Sequence, residues 1–162
     1  MPVPTRIAGA AHSFQLNNDL LKKGLDGLNT EEWLRSPGAS SNHILWIVGH
    51  VIWARVAVLG LLGSEWSRPW LSLFGRGAKP ADAAEYPTPE EATLAFEEVS
   101  ARLTAALEGA SEETLSKPSP ERIPSADGQI SGVLNFLAYH ETIHVGQVAY
   151  LRKWLGHSGV AG

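Results

Sequence analysis

The chain has no cysteine among its 162 residues. That absence removes disulfides, thiolate metal sites, a cysteine nucleophile and dithiol redox chemistry, and it fits a reducing compartment. No apolar run of signal-peptide type occurs near the start, because Asn17, Asn18, Asp19, Lys22 and Lys23 interrupt every candidate. A soluble cytoplasmic protein is expected. Positive charge is also short: thirteen Lys and Arg stand against seventeen Asp and Glu, a formal charge of −4. That balance repels a phosphate backbone instead of releasing its counterions. Nucleic acid and anionic membrane are therefore discounted as partners. A chain of this length is most simply one domain, residues 1–162, burying roughly two thirds of its unfolded surface without covalent staples.

What is present is mostly helical periodicity. Ile7, Phe14, Leu21 and Leu28 recur every seven residues, with Ala11 and Leu25 on a neighbouring track, which predicts a bundle helix over 7–28. Asn18 falls on that second track, either as a buried polar residue near a site or as an edge position. Asn29 and Glu32 form a capping box for a short helix through Trp33, which Pro37 and Gly38 stop. A second long helix, nearly all apolar, is expected after a Ser40-Ser41 cap and runs to about Leu62, with Gly63 in the stop position. Residues 63–87 then form a long connection holding Trp66, Trp70, Phe74 and Tyr86 among glycines and prolines. It is either a lid over a pocket or an aromatic flap on the bundle.

Thr88, Pro89 and Glu91 announce a third long helix that should end near Gly109. One short turn at SEETL and a proline-rich connection follow. The last helix, from about Ser131 to Leu155, sets Val133, Leu137, His140, His144, Val148 and Leu151 on one stripe. Four long helices and no convincing strand predict an all-α four-helix bundle.

The histidines carry the chemistry. His140 and His144 differ by about 40° around a helix and about 6 Å along it, so both imidazoles can reach one ion about 2.0–2.1 Å away. The best third ligand is His50, set in the apolar run HILWIVGHVIWARVAVL, where a polar ring needs a partner. The alternative is that each is a hydrogen-bonded core histidine. His43 lies roughly 10 Å from His50 along the helix, too far to share an ion, and reads as a helix-start or pocket-rim residue. His12 and His157 read as surface or cap histidines.

HETIH, residues 140–144, matches H-E-x-x-H, but the metzincin extension fails at Gln147 and Tyr150. No Asp or Glu follows Glu141 to act as a later third ligand. A di-iron bundle fails as well, because no carboxylate occurs between Ser40 and Leu62. One ion on three imidazoles is the better match. Glu141 lies about 60° from His144 around the helix and is the candidate general base; otherwise it orients an imidazole or forms a surface salt bridge. Arg55 and Arg152 pair either with a substrate carboxylate or with surface acids. Trp46 and Trp53 flank His50 as core or as pocket wall, and Gln147 continues the histidine stripe toward a substrate oxygen or a neighbouring helix.

The segments SSNHILWIVGHVIWAR and LAYHETIHVGQVAYLRKWLG resemble the second-helix and last-helix signatures of the DinB-like superfamily, metal-binding four-helix bundles that include the YfiT-type proteins. The likeness is most specific where the histidine pair is followed by Gly146-Gln147 and Tyr150-Leu151-Arg152. It implies an up-down-down-up bundle, a His50, His140 and His144 triad for a divalent metal, commonly nickel or zinc, and frequent homodimers. It also implies chemistry such as that of transferases using low-molecular-weight thiols, though fold analogy does not choose a reaction. Two classes of function remain. One is a metal-dependent enzyme, a thiol transferase or hydrolase acting on a small-molecule substrate through open metal positions. The other is a non-catalytic metal-binding or dimeric interaction protein.

Overall fold

The computed structural model describes residues 2–160. Four long helices, α1 (Ala8–Leu25), α3 (Ile44–Leu61), α4 (Pro89–Glu108) and α6 (Ile130–Trp154), form the bundle; α2 (Thr30–Leu34) and α5 (Glu112–Leu115) are single short turns. Among the described residues there is no strand, only an isolated bridge between Pro118 and Gln129. The helices close a ring in the order α1, α6, α3, α4, and the α1–α4 seam is the thinnest. His50, His140 and His144 all lie on the α3–α6 pair.

Local chemistry explains most boundaries. The Asn29 side chain accepts from the Glu32 N–H at 3.0 Å, and the Glu32 carboxylate accepts from the Asn29 N–H at 2.9 Å. Thr88 and Glu91 repeat the same reciprocal cap, with Pro89 at the first helical position. The Ser40-Ser41 cap expected for α3 is not used. His43 is the N-cap, its Nδ1 accepting from the Trp46 N–H at 3.1 Å, which leaves Ser40 and Ser41 outside the helix. A neutral imidazole can take the part of a serine because one ring nitrogen carries a lone pair. α1 stops at Leu25, short of Leu28, where Asp26 is extended and Gly27 takes a φ of 74°.

α6 is capped from outside its own first turn. Asp127 Oδ1 accepts from the Gln129 and Gly132 N–H groups at 2.9 and 3.1 Å, and Oδ2 accepts from the Ser131 hydroxyl. These bonds hold the Asp127 carboxyl well below the usual range, at about 2. Glycine at 132 leaves room for this cap, since an added Cβ would lie 2.3 Å from Asp127 Oδ1 and displace it.

α3 is long and apolar enough to cross a membrane by length and composition, yet 67% of that window is buried inside the bundle. A helix enclosed on nearly all sides needs no polar face. Part of its cover is the 63–87 connection, which folds into 3-10 turns at Leu71–Phe74 and Ala83–Glu85 and buries Trp66, Leu71, Phe74 and Tyr86. Phe74 lies flat enough on α3 that an added Cβ at Gly49 would sit 2.4 Å from its ring. The connection is thus part of the core, and it also reaches the site.

Candidate metal centre

His50 stands midway along α3 and is 5% exposed; His140 and His144 on α6 are half-buried. The structure brings these three together: one ring nitrogen from each lies within 4.8 Å of the others. The His140 and His144 Nε2 atoms are 3.1 Å apart. Two nitrogens bound to one ion at about 2.0–2.1 Å, between right-angle and tetrahedral geometry, lie about 2.9–3.4 Å apart, so the spacing fits.

Outer contacts decide which nitrogens face inward. His50 Nδ1 donates to the Phe74 carbonyl at 2.7 Å, since a carbonyl can only accept. His144 Nδ1 donates to Gln147 Oε1 at 2.8 Å. Both rings therefore turn an Nε2 lone pair toward the centre, the outer-partner arrangement that orients metal-binding histidines. A proton on His140 Nε2 would satisfy only one of those two lone pairs, whereas a cation would take both, together with the Nε2 lone pair of a His140 protonated on Nδ1. His140 Nδ1 is buried with no partner among the described residues.

The electrostatics favour neutral ligands. Burial lowers the His50 pKa, against a smaller upward effect of the Phe74 hydrogen bond and a further lowering by His144. Burial, then His144, His50 and Arg76, lower His140 to about 4. At neutral pH neither ring needs to shed a proton before binding a cation. Trp46 and Trp53 sandwich the His50 ring, with centroids 4.9 and 5.4 Å away and interplanar angles of 10° and 18°. The two indoles are therefore walls of the site.

Other sequence candidates lie elsewhere. Glu141 is 2% exposed, and its two oxygens accept from Arg55 Nε and Nη2 at 2.8 and 2.7 Å. It is not a member of the imidazole cluster. The Arg55 partner is neither a substrate carboxylate nor a surface acid, because the guanidinium is wholly buried. Arg152 donates to the Gly24 and Asp26 carbonyls and so closes the C-terminal end of α1. His12 is exposed, and His157 contacts Glu32 at 2.8 Å. Sequence reasoning did not find the Phe74 carbonyl, Ser100 or the Asp127 cap. Arg55 did carry a signal, as a charge within an otherwise apolar helix that lacks any carboxylate.

Fold and site together define an all-helical bundle with a three-histidine group suited to a metal ion. The family model of the DinB superfamily matches residues 13–148. The chain belongs to that superfamily, and the match includes His50, His140 and His144. No curated protein matches the chain.

Proposed function

We propose that His50, His140 and His144 hold one divalent ion, nickel or zinc, and that the protein is a metal-dependent enzyme of the thiol-transferase or hydrolase type. The observation that carries this reading is the convergence of three inward-facing imidazole nitrogens, two of them oriented by outer hydrogen bonds. Among the described residues no fourth imidazole, carboxylate or thiol joins the group, so three protein ligands leave coordination positions for other molecules. An ion held in this way supplies Lewis acidity and draws the pKa of a water or thiol ligand toward neutrality.

The remaining chemistry belongs to the chain. The His50–Phe74 and His144–Gln147 bonds keep Nδ1 protonated and Nε2 free. Trp46 and Trp53 exclude water from both faces of the His50 ring. The chain has no cysteine, so any thiol must arrive as a cosubstrate. Within this proposal the substrate is a small molecule, the compartment is the cytoplasm, and the chain pairs with a second copy of itself. The test is a screen of the metal-loaded protein against low-molecular-weight thiols paired with electrophiles, and against simple esters and amides. Turnover that disappears after chelation and in His144→Ala supports the enzyme reading. A loaded protein without turnover on any of these supports the metal-binding role alone.

A further inference from the structure

α3 and α6 meet through two polar contacts, and only one of them is the imidazole group. About 7.5 Å further along α3 than His50, the fully buried Arg55 guanidinium donates through Nε and Nη2 to both oxygens of Glu141. Its remaining nitrogen, Nη1, donates to Ser100 Oγ on α4 at 2.6 Å, and that hydroxyl donates in turn to the Phe96 carbonyl. The guanidinium carbon lies 4.6 Å from the Phe96 ring centroid and 5.8 Å from that of Phe14. Glu141 is the residue after His140 and stands three before His144.

We propose that Arg55 and Glu141 are positioning residues for the metal site: their paired hydrogen bonds fix the rotation and register of α6 on α3, so that the three imidazoles are assembled before an ion arrives. This rests on reading the histidines as metal ligands. A planar guanidinium and a carboxylate joined by two parallel bonds accept one mutual orientation, which a single hydrogen bond does not impose. A buried ion pair adds little net stability over an apolar pair of similar volume, and register is its best-attested use.

The leverage is large. A helix turns as a unit, and rotating α6 by about 10° carries a nitrogen roughly 6 Å from its axis through about 1 Å. Metal–ligand distances tolerate only about ±0.2 Å. Because His140 and His144 lie about 100° and 60° around the helix from Glu141, any turn at the carboxylate moves both ligands.

The test compares wild type, the double variant R55M/E141L and Arg55→Lys. Zinc affinity is read by competition with a chromophoric chelator, and cobalt absorption reports ligand geometry. Replacing both charges leaves no buried charge unpaired, so the double variant should keep wild-type helicity and a similar Tm. It should nevertheless bind zinc at least tenfold more weakly, with an altered cobalt band. Wild-type affinity and spectrum in a folded double variant would overturn the proposal. Arg55→Lys, which keeps the charge but loses the fork, decides the matter if the double variant does not fold. It should bind several-fold more weakly with a changed cobalt band, and wild-type values there would also overturn the proposal. If wild type binds no metal, or His50→Ala binds as tightly as wild type, the metal reading itself fails and this inference falls with it.

Discussion

The imidazole group and the Arg55–Glu141 pair sit on the same two helices and treat buried polarity in opposite ways. Around Arg55 every polar atom has a partner: each guanidinium nitrogen meets Glu141 or Ser100, and both carboxylate oxygens are bonded. Around the histidines this is not so. Lone pairs converge, and His140 Nδ1 has no partner among the described residues. A satisfied buried network fixes structure, whereas converging Nε2 atoms form an acceptor set that a cation would complete.

Removing one partner of the Arg55 network has the largest expected effect. Glu141→Ala strands a buried guanidinium and should cost about 3–5 kcal/mol in chemical denaturation. His144→Ala in metal-free protein should cost about 1 kcal/mol or less, because half-exposed His144 leaves no charge behind. Equal losses in the two variants would erase the distinction. Gly49→Ala comes next. Its methyl would meet the Phe74 ring and push the cover off α3, with an expected loss of about 1–3 kcal/mol and a weaker hold on His50. Thermal melts with and without zinc would separate the two effects.

Gln147→Ala sharpens the contrast from the other side. The exposed residue contributes little to stability, yet it orients His144, so metal affinity should fall about tenfold while Tm stays nearly constant. The smallest effect concerns acid. Asp127 is held at about 2 in the folded chain against 3.8 ordinarily, so the unfolded state binds more protons between those values. Its stabilising contribution is present above pH 3.8 and lost as pH falls through about 2, a decline that Asp127→Asn should flatten in acid titrations followed by circular dichroism.

Much of this architecture was legible because its signals are local. Thr88-Pro89-Glu91 and Asn29-Glu32 specify helix starts within four residues, and the structure uses both. The histidine pair was legible because spacing of four on an apolar stripe allows one geometry, and His50 because an apolar helix gives an imidazole few other roles. Long-range partners were not. Arg55 and Glu141 are 86 positions apart, and the sequence offered Glu141 as a general base because helix angles place it near His144 without showing what else competes for it. The Phe74 carbonyl was invisible for a different reason, since every residue carries a backbone carbonyl. His43 does stand at the helix start as its position suggests, but the capping itself falls to its ring and not to Ser40-Ser41, to which the sequence pointed because serines are the more usual N-caps.

The central claim is a three-histidine metal site, and elemental analysis of untagged protein purified without chelator tests it most directly, with His50→Ala alongside. About one nickel or zinc ion per wild-type chain is expected, with loss of that ion in the variant and helicity retained. Wild-type protein that takes up no divalent ion even after reconstitution, or a variant that keeps its full complement, would contradict it.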